Sequence, residues 1–236
     1  KFQPQEYWSL KGIFNNKESK KFEARLIKYN NEKLDKLSIK NENSASEILE
    51  IIQSNSFSIS QVEKKETKRN PYPAFTTSSM QIEASRKLGF SANQTMRTAQ
   101  KLYEGTEIDG EPTGLITYLR TDSVTMSAEA VNDVRQYIKE NIGKEYLPAE
   151  PRIYKSKAKN AQEAHECIRP TDISLFPDKI KKLLNADEFK LYEIIWQRAV
   201  SSQMASAIIN QVSIDINSLD NKMVFRANGS SIKFNG

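Results

Sequence analysis

The sequence predicts a multidomain α+β protein: a discontinuous β-rich domain interrupted by an inserted, mainly α-helical domain that carries Tyr118. Three observations predict it. Strand-like runs with a period of two open the chain and return near its end. Between them lies a stretch of helix-period sequence, punctuated by capping residues and glycine stops. Neither strand-rich end holds enough strands to bury a sheet face alone, so tail and head are expected to pair. The boundaries follow as 1–77 for the first β-rich part, 78–206 for the helical insert and 207–236 for the second β-rich part.

Each element has its own reason. YWSLKGIF (7–14) and FEARLIKYN (22–30) flank NNKESK and read as a hairpin. In the second run Phe22, Ala24 and Leu26 alternate with Glu23 and Arg25. Ser44 and Glu47 have capping-box spacing ahead of Ile48, Leu49, Ile51 and Ile52, which predicts a short helix. FSISQVEKKETKR (57–69) returns to strand, and Pro71 and Pro73 end it. Ser78 and Gln81 are spaced to cap a helix that Gly89 can close. Ser91 and Gln94 repeat the pattern for a helix through Met96, Ala99 and Leu102 to about Glu104. TEIDGEPT (106–113) reads as a loop and GLITYLR (114–120) as a short strand. Ser127 caps a helix with Val131, Val134, Ile138 and Ile142 on its apolar face and Gly143 as its stop. Asn160 and Glu163 precede a helix through AQEAHECIR that Pro170 ends. KIKKLL and residues 187–204 are helical. Val212, Ile214 and Ile216 alternate, Asp220-Asn221 turns, and MVFRANG and SIKF follow as strand.

Composition narrows the function classes. Among 236 residues, 38% are hydrophobic and 28% charged, which is a globular rather than a disordered balance. No apolar run approaches the roughly 18 residues of a membrane helix, and no signal-peptide pattern opens the chain. The single cysteine, Cys167, rules out an internal disulfide and fits a reducing, cytoplasmic compartment. One cysteine and one histidine, His165, also exclude a cysteine-rich or two-histidine zinc motif. The net charge of +5 favours a nucleic-acid partner only mildly. The chain starts at Lys1 and stops within strand-like sequence, and is read as part of a longer polypeptide.

Two clusters could carry chemistry. On a strand, Tyr118 and Arg120 project to the same side with Ile116, while Leu115, Thr117 and Leu119 face a core. A phenol beside a guanidinium suits attack on a phosphate, because arginine holds two phosphate oxygens and stabilises the charge gained in the transition state. Tyrosine can be the covalent nucleophile. An ordinary tyrosine, with a pKa near 10, is ionised only about one part in a thousand at pH 7, so deprotonation costs about 4 kcal/mol and needs help. The plain alternative is a half-buried strand tyrosine and a surface ion pair. The second cluster is NAQEAHECIRPT (160–171). On a helix His165 and Arg169 are i,i+4 neighbours, and Glu163 and Glu166 are i,i+3 neighbours. Lys155, Lys157 and Lys159 add a stretch able to follow a phosphate backbone. A solvated charge run explains the same residues without function.

Absences matter as well. GTEIDGE spaces its glycines like a phosphate loop but lacks the lysine and hydroxyl residue that must follow, so ATP binding there is set aside. No carboxylate cluster reads as a Mg²⁺ site. The helix–glycine–helix at 79–104 leaves a non-catalytic helix-turn-helix DNA-binding module as the rival reading.

Four ordered blocks together resemble bacterial type IA DNA topoisomerases: residues 70–105, GLITYLRTDS (114–123), AQEAHECIRPTD (161–172) and LYEIIWQRAVSSQM (191–204). The YLR triplet is more similar to the topoisomerase I branch than to the topoisomerase III branch, with reverse gyrase a further relative. The resemblance implies that Tyr118 attacks a single-strand phosphodiester and that Arg120 holds the scissile phosphate. It further implies that Asp122 assists proton handling or positioning. His165 would contact DNA near the break, with Glu163, Glu166 and Arg169 in support. Cys167 departs from the small alanine more common in the family. The resemblance also implies Mg²⁺ bound by a separate Toprim domain, with no metal held by this chain. The expected partners are single-stranded and negatively supercoiled DNA, the expected state a monomer associated with the nucleoid. It casts the β-rich domain as an arch and hinge, and predicts that this chain alone relaxes no DNA.

Overall fold

The computed structural model describes residues 3–15, 18–108, 110–155 and 166–236. The protein is a mixed α/β chain with antiparallel strand pairing and six α-helices among the described residues. It divides into two compact units, Lys1–Lys68 with Ile208–Asn235, and Arg69–Ala207.

The β-rich unit is built on one six-stranded sheet. Its strands are β1 (Lys11–Asn15), β2 (Lys21–Tyr29), β3 (Glu32–Lys33), β4 (Phe57–Arg69), β7 (Ala207–Ser218) and β8 (Val224–Phe234). The order is β1-β2-β8-β7-β4, with β3 on β2. Tail and head therefore interleave: β8 pairs with β2 through Arg25↔Arg226 and Leu26↔Phe225. The alternation read in β2 holds, since Ala24 and Leu26 are buried and Glu23 and Arg25 exposed. Phe14, Phe57 and Phe225 meet edge-to-face under the sheet, at ring separations of 5.4–6.1 Å. Helix α1 (Glu42–Gln53) adds Ala45 and Ile48 to this core. Two expectations need correction here. Residues 7–10 are not strand; Trp8 N–H bonds to Ile39 O instead of to a neighbouring strand. The cap of α1 is Asn41, whose side chain accepts from Ser44 N–H, so the helix starts earlier than the Ser44 pattern suggested.

The helical unit packs α2 (Thr77–Leu88), α3 (Ala92–Glu104) and α6 (Ala186–Ser202) around Phe75, Met80, Ala99, Leu102 and Tyr192. Gly89 closes α2 in the left-handed conformation at φ 72°, which glycine adopts without steric cost. Ser91 and Ser127 cap α3 and α4 (Ala128–Tyr137) as read from the sequence. The cap of α2 is Thr76, in a reciprocal box with Ser79, not Ser78. Residues 181–183 form a 3₁₀ turn after the short α5 (Pro177–Ile180). The expected loop at 106–113 is a small hairpin, β5 (Thr106–Ile108) with β6 (Glu111–Thr113).

Two further expectations fail for one shared reason. GLITYLR is not a strand, and the described residues 166–170 are not helical. These segments meet through an isolated bridge between Ile116 and Pro170. The bridge is closed by Thr117 N–H to Arg169 O and Thr171 N–H to Leu115 O. It goes no further because Arg169 N–H is taken by the Thr117 hydroxyl and not by its carbonyl. Proline disfavours helical geometry at the residue before it. The backbone N–H groups of 167 and 168 go to Thr125 O and Phe75 O, leaving none for a helical turn.

Candidate functional site

Leu115, Ile116 and Leu119 are each 1% exposed and anchor the 114–121 segment in the helical core. Tyr118 and Arg120 face outward, as their spacing predicted, but Ile116 is buried rather than beside them. Tyr118 is 46% exposed. Its ring packs edge-to-face on Tyr103 at 5.5 Å and 68°. Tyr103 lies in the last turn of α3, where Leu102 O accepts from Leu115 N–H at 2.8 Å. The chain can come this close because Gly114 has no Cβ: one there would lie 2.7 Å from Tyr103 O.

Hydroxyl groups take the place of a ladder. Thr117 Oγ1 donates to Cys167 O at 2.7 Å and accepts from Arg169 N–H at 3.0 Å. Thr77 Oγ1 donates to Leu119 O at 2.7 Å and accepts from Thr121 N–H at 2.9 Å. Downstream, Thr121 Oγ1 accepts from Ser123 N–H and Ser123 Oγ from Thr125 N–H. Asp122 is exposed in this run.

Glu166 and Arg169 form a brace. Glu166 Oε1 accepts from Ser127 N–H, at the start of α4, at 2.8 Å. Its Oε2 takes Nε and NH2 of Arg169 at 2.9 and 2.7 Å. Arg169 NH1 donates to Pro170 O. The Arg169 guanidinium is thus mostly buried and committed to the fold. The expected i,i+4 relation of Arg169 to His165 involves a residue outside the described ones. His165 and Glu163, with Lys157 and Lys159, lie outside the described residues. Cys167 is fully buried, and burial pushes its thiol up to about 12, so it is chemically quiet.

Sequence reading missed the residues that hold the segment. Thr77, Thr117 and Tyr103 belong to ordinary helix-start, core-facing and amphipathic patterns, and no local signal distinguishes them. Among the described residues no three His, Cys, Asp or Glu side chains converge to hold a metal ion. No helix of the described residues is long and apolar enough to cross a membrane.

An irregular, core-anchored segment thus presents tyrosine and arginine together on the surface. Comparison with known proteins places the chain in a family. Residues 1–236 match the family described as DNA topoisomerase. The chain is 49% identical over 236 residues to a DNA topoisomerase 1 of Rickettsia felis, covering all of this chain and 30% of that protein. It is 42% identical over 235 residues to a DNA topoisomerase 1 of Campylobacter jejuni, covering 33% of it. The solved full-length topoisomerase I of Thermotoga maritima is similar over 99% of this chain and 36% of its own, at TM-score 0.78 and 31% identity. This chain belongs to the bacterial type IA DNA topoisomerase family. It spans about a third of the length of the curated relatives it matches.

Proposed function

We propose that this chain is the tyrosine-bearing part of a longer enzyme that cuts and rejoins one DNA strand and relaxes negative supercoils. The observation that carries the reading is the outward presentation of Tyr118 and Arg120 from a pinned segment, in a chain of this family. In this reading Tyr118 Oη attacks a backbone phosphorus. A bond forms from Oη to phosphorus and the bond to the 3′ oxygen breaks. The phenol proton ends on that oxygen, leaving a 5′-phosphotyrosine and a free 3′ hydroxyl. Return attack by the hydroxyl reverses each change, so the bond energy is stored and no ATP is consumed. Arg120 offers two donors to the phosphate oxygens and stabilises the charge of the pentacoordinate state. In this reading the exposed Asp122 assists proton handling or positioning. Glu166 and Arg169 hold the neighbouring segment, and His165 contacts the DNA.

Among the described residues no cluster of His, Cys, Asp or Glu fits a metal ion; in this reading Mg²⁺ is held by a Toprim domain elsewhere in the longer protein. The β-rich unit serves as the arch and hinge of the DNA gate. The expected partners are single-stranded and negatively supercoiled DNA, handled by a monomer.

The test uses the longer protein that contains this chain. Incubated with negatively supercoiled plasmid and Mg²⁺, the parent is expected to relax it and Tyr118→Phe to relax none, while still binding single strands. Equal relaxation by both would sink the mechanism. The isolated 236-residue chain is expected to relax no plasmid.

A further inference from the structure

We propose that Thr77 is a positioning residue for the Tyr118–Arg120 pair, acting as a backbone latch and not as a helix cap. The inference rests on the function proposed above and adds a residue to it. Thr77 is the first residue of α2, but capping belongs to Thr76 and Ser79. The Thr77 hydroxyl serves something else. Its proton is directed to Leu119 O at 2.7 Å, with Thr121 O at 3.1 Å, and its lone pair accepts Thr121 N–H at 2.9 Å. Thr77 N–H, one of the donors a helix start leaves unused, goes to Thr121 O at 2.9 Å. Every polar group Thr77 can spend in this direction falls on the two residues that flank Arg120.

The opposite side is closed by Thr117, whose N–H and hydroxyl are tied to residues 167 and 169. Tyr118 and Arg120 lie between the two latches. Irregular backbone without a ladder would otherwise sample many φ/ψ states, and fixing each residue costs conformational entropy. The latches and the buried Leu119 meet that cost in the resting protein. An attack geometry set in advance is worth orders of magnitude in rate, and small misplacement can cost about 100-fold. Thr77 touches neither nucleophile nor phosphate in this arrangement; it acts through the backbone of 119–121.

The test compares Thr77→Val, which keeps the shape and removes the hydroxyl, with Thr77→Ser and Thr76→Ala in the longer protein. The probe is a single-stranded oligonucleotide, and the readout is the rate of covalent complex formation as a function of oligonucleotide concentration. Thr77→Val is expected to lower the maximal rate about 10- to 100-fold with little change in half-saturating concentration. Thr77→Ser should stay within about threefold of the parent, because the hydroxyl is retained. Thr76→Ala should weaken α2 in a thermal melt without slowing the maximal rate. If Thr77→Val does not fold, Thr77→Cys replaces it with the same expectation, since a thiol is a weak hydrogen-bonding group. A parental rate in the folded valine or cysteine variant would overturn the proposal, as would equal slowing by Thr76→Ala. Tyr118→Phe runs alongside: if it forms covalent complex like the parent, the nucleophile assignment fails, and that outcome is distinct from failure of the latch.

Discussion

The two units solve the problem of order in opposite ways. In the β-rich unit, regular pairing does the work: β7 and β8 pair over a long register, β8 joins β2 over a shorter one, and a small aromatic cluster fills one face. Much of β4 is exposed on both faces, so its stability comes from neighbours far away in sequence. In the helical unit the core is larger and helical, and the segment of interest is the least regular part of it. That segment is held by buried leucine and isoleucine and by threonine hydroxyls. Regular structure would have hidden its backbone in a ladder; irregular structure lets two polar side chains project from a rigid base. The lesson is that presentation of a reactive pair needs rigidity, not regularity.

The comparison can be broken hardest at the aromatic cluster. Phe225 is buried against Phe14 and Phe57 on the strand that joins tail to head. Phe225→Ala is expected to cost about 3–5 kcal/mol, read by urea unfolding of this chain. A cost below about 1 kcal/mol would mean the sheet does not depend on this cluster.

A smaller effect sharpens the view of the helical unit. Gly105 ends α3 at φ 88°, and a Cβ there would run into the Thr113 carbonyl. Gly105→Ala is expected to destabilise the chain by about 1–3 kcal/mol and to displace Tyr103 from Tyr118. The upfield-shifted ring signals of that edge-to-face pair, followed by NMR, should move. Unchanged signals would show that the turn does not set the ring contact.

The smallest effect concerns charge on the sheet. Arg226 pairs with Asp215 through two hydrogen bonds of 2.6 and 2.7 Å, and sits opposite Arg25 on β2. The hydrogen bonds from Arg226 hold the Asp215 carboxyl below its usual range. A carboxylate with a lowered folded-state pKa stabilises above its unfolded value, near 3.9, and loses that contribution as pH falls through the folded value. Asp215→Asn should therefore cost about 0.5–1 kcal/mol at pH 7. It should also remove part of the stability loss seen below about pH 4. Identical acid profiles for parent and variant would dismiss the pair as a contributor.

Much of the molecule was legible because its causes are local. Ser91, Ser127 and Gly89 act within one helical turn, and the alternation in β2 is a property of consecutive residues. Spacing leaves Tyr118 and Arg120 open to a plain reading, and the family resemblance singles them out; the period of two sets them on one side, but it also puts Ile116 there, which is buried. What misled was the step from period to element. A strand needs a partner with free donors and acceptors, and beside the Ile116–Pro170 bridge the Arg169 amide is already taken by the Thr117 hydroxyl. The helix read through 160–169 failed over its described part because the amides of Cys167 and Ile168 had longer-range acceptors in Thr125 and Phe75.

The sequence by itself determined most of the helix starts and stops and the alternation in β2, since capping and periodicity are properties of short windows. Only the tertiary structure decided that Tyr118 leans on Tyr103, that Glu166 takes the amide of Ser127, and that Thr77 reaches across 42 residues to Leu119. Those contacts join residues far apart in the chain. A buried hydroxyl takes whichever backbone group packing brings within hydrogen-bond reach, and no local window contains that choice.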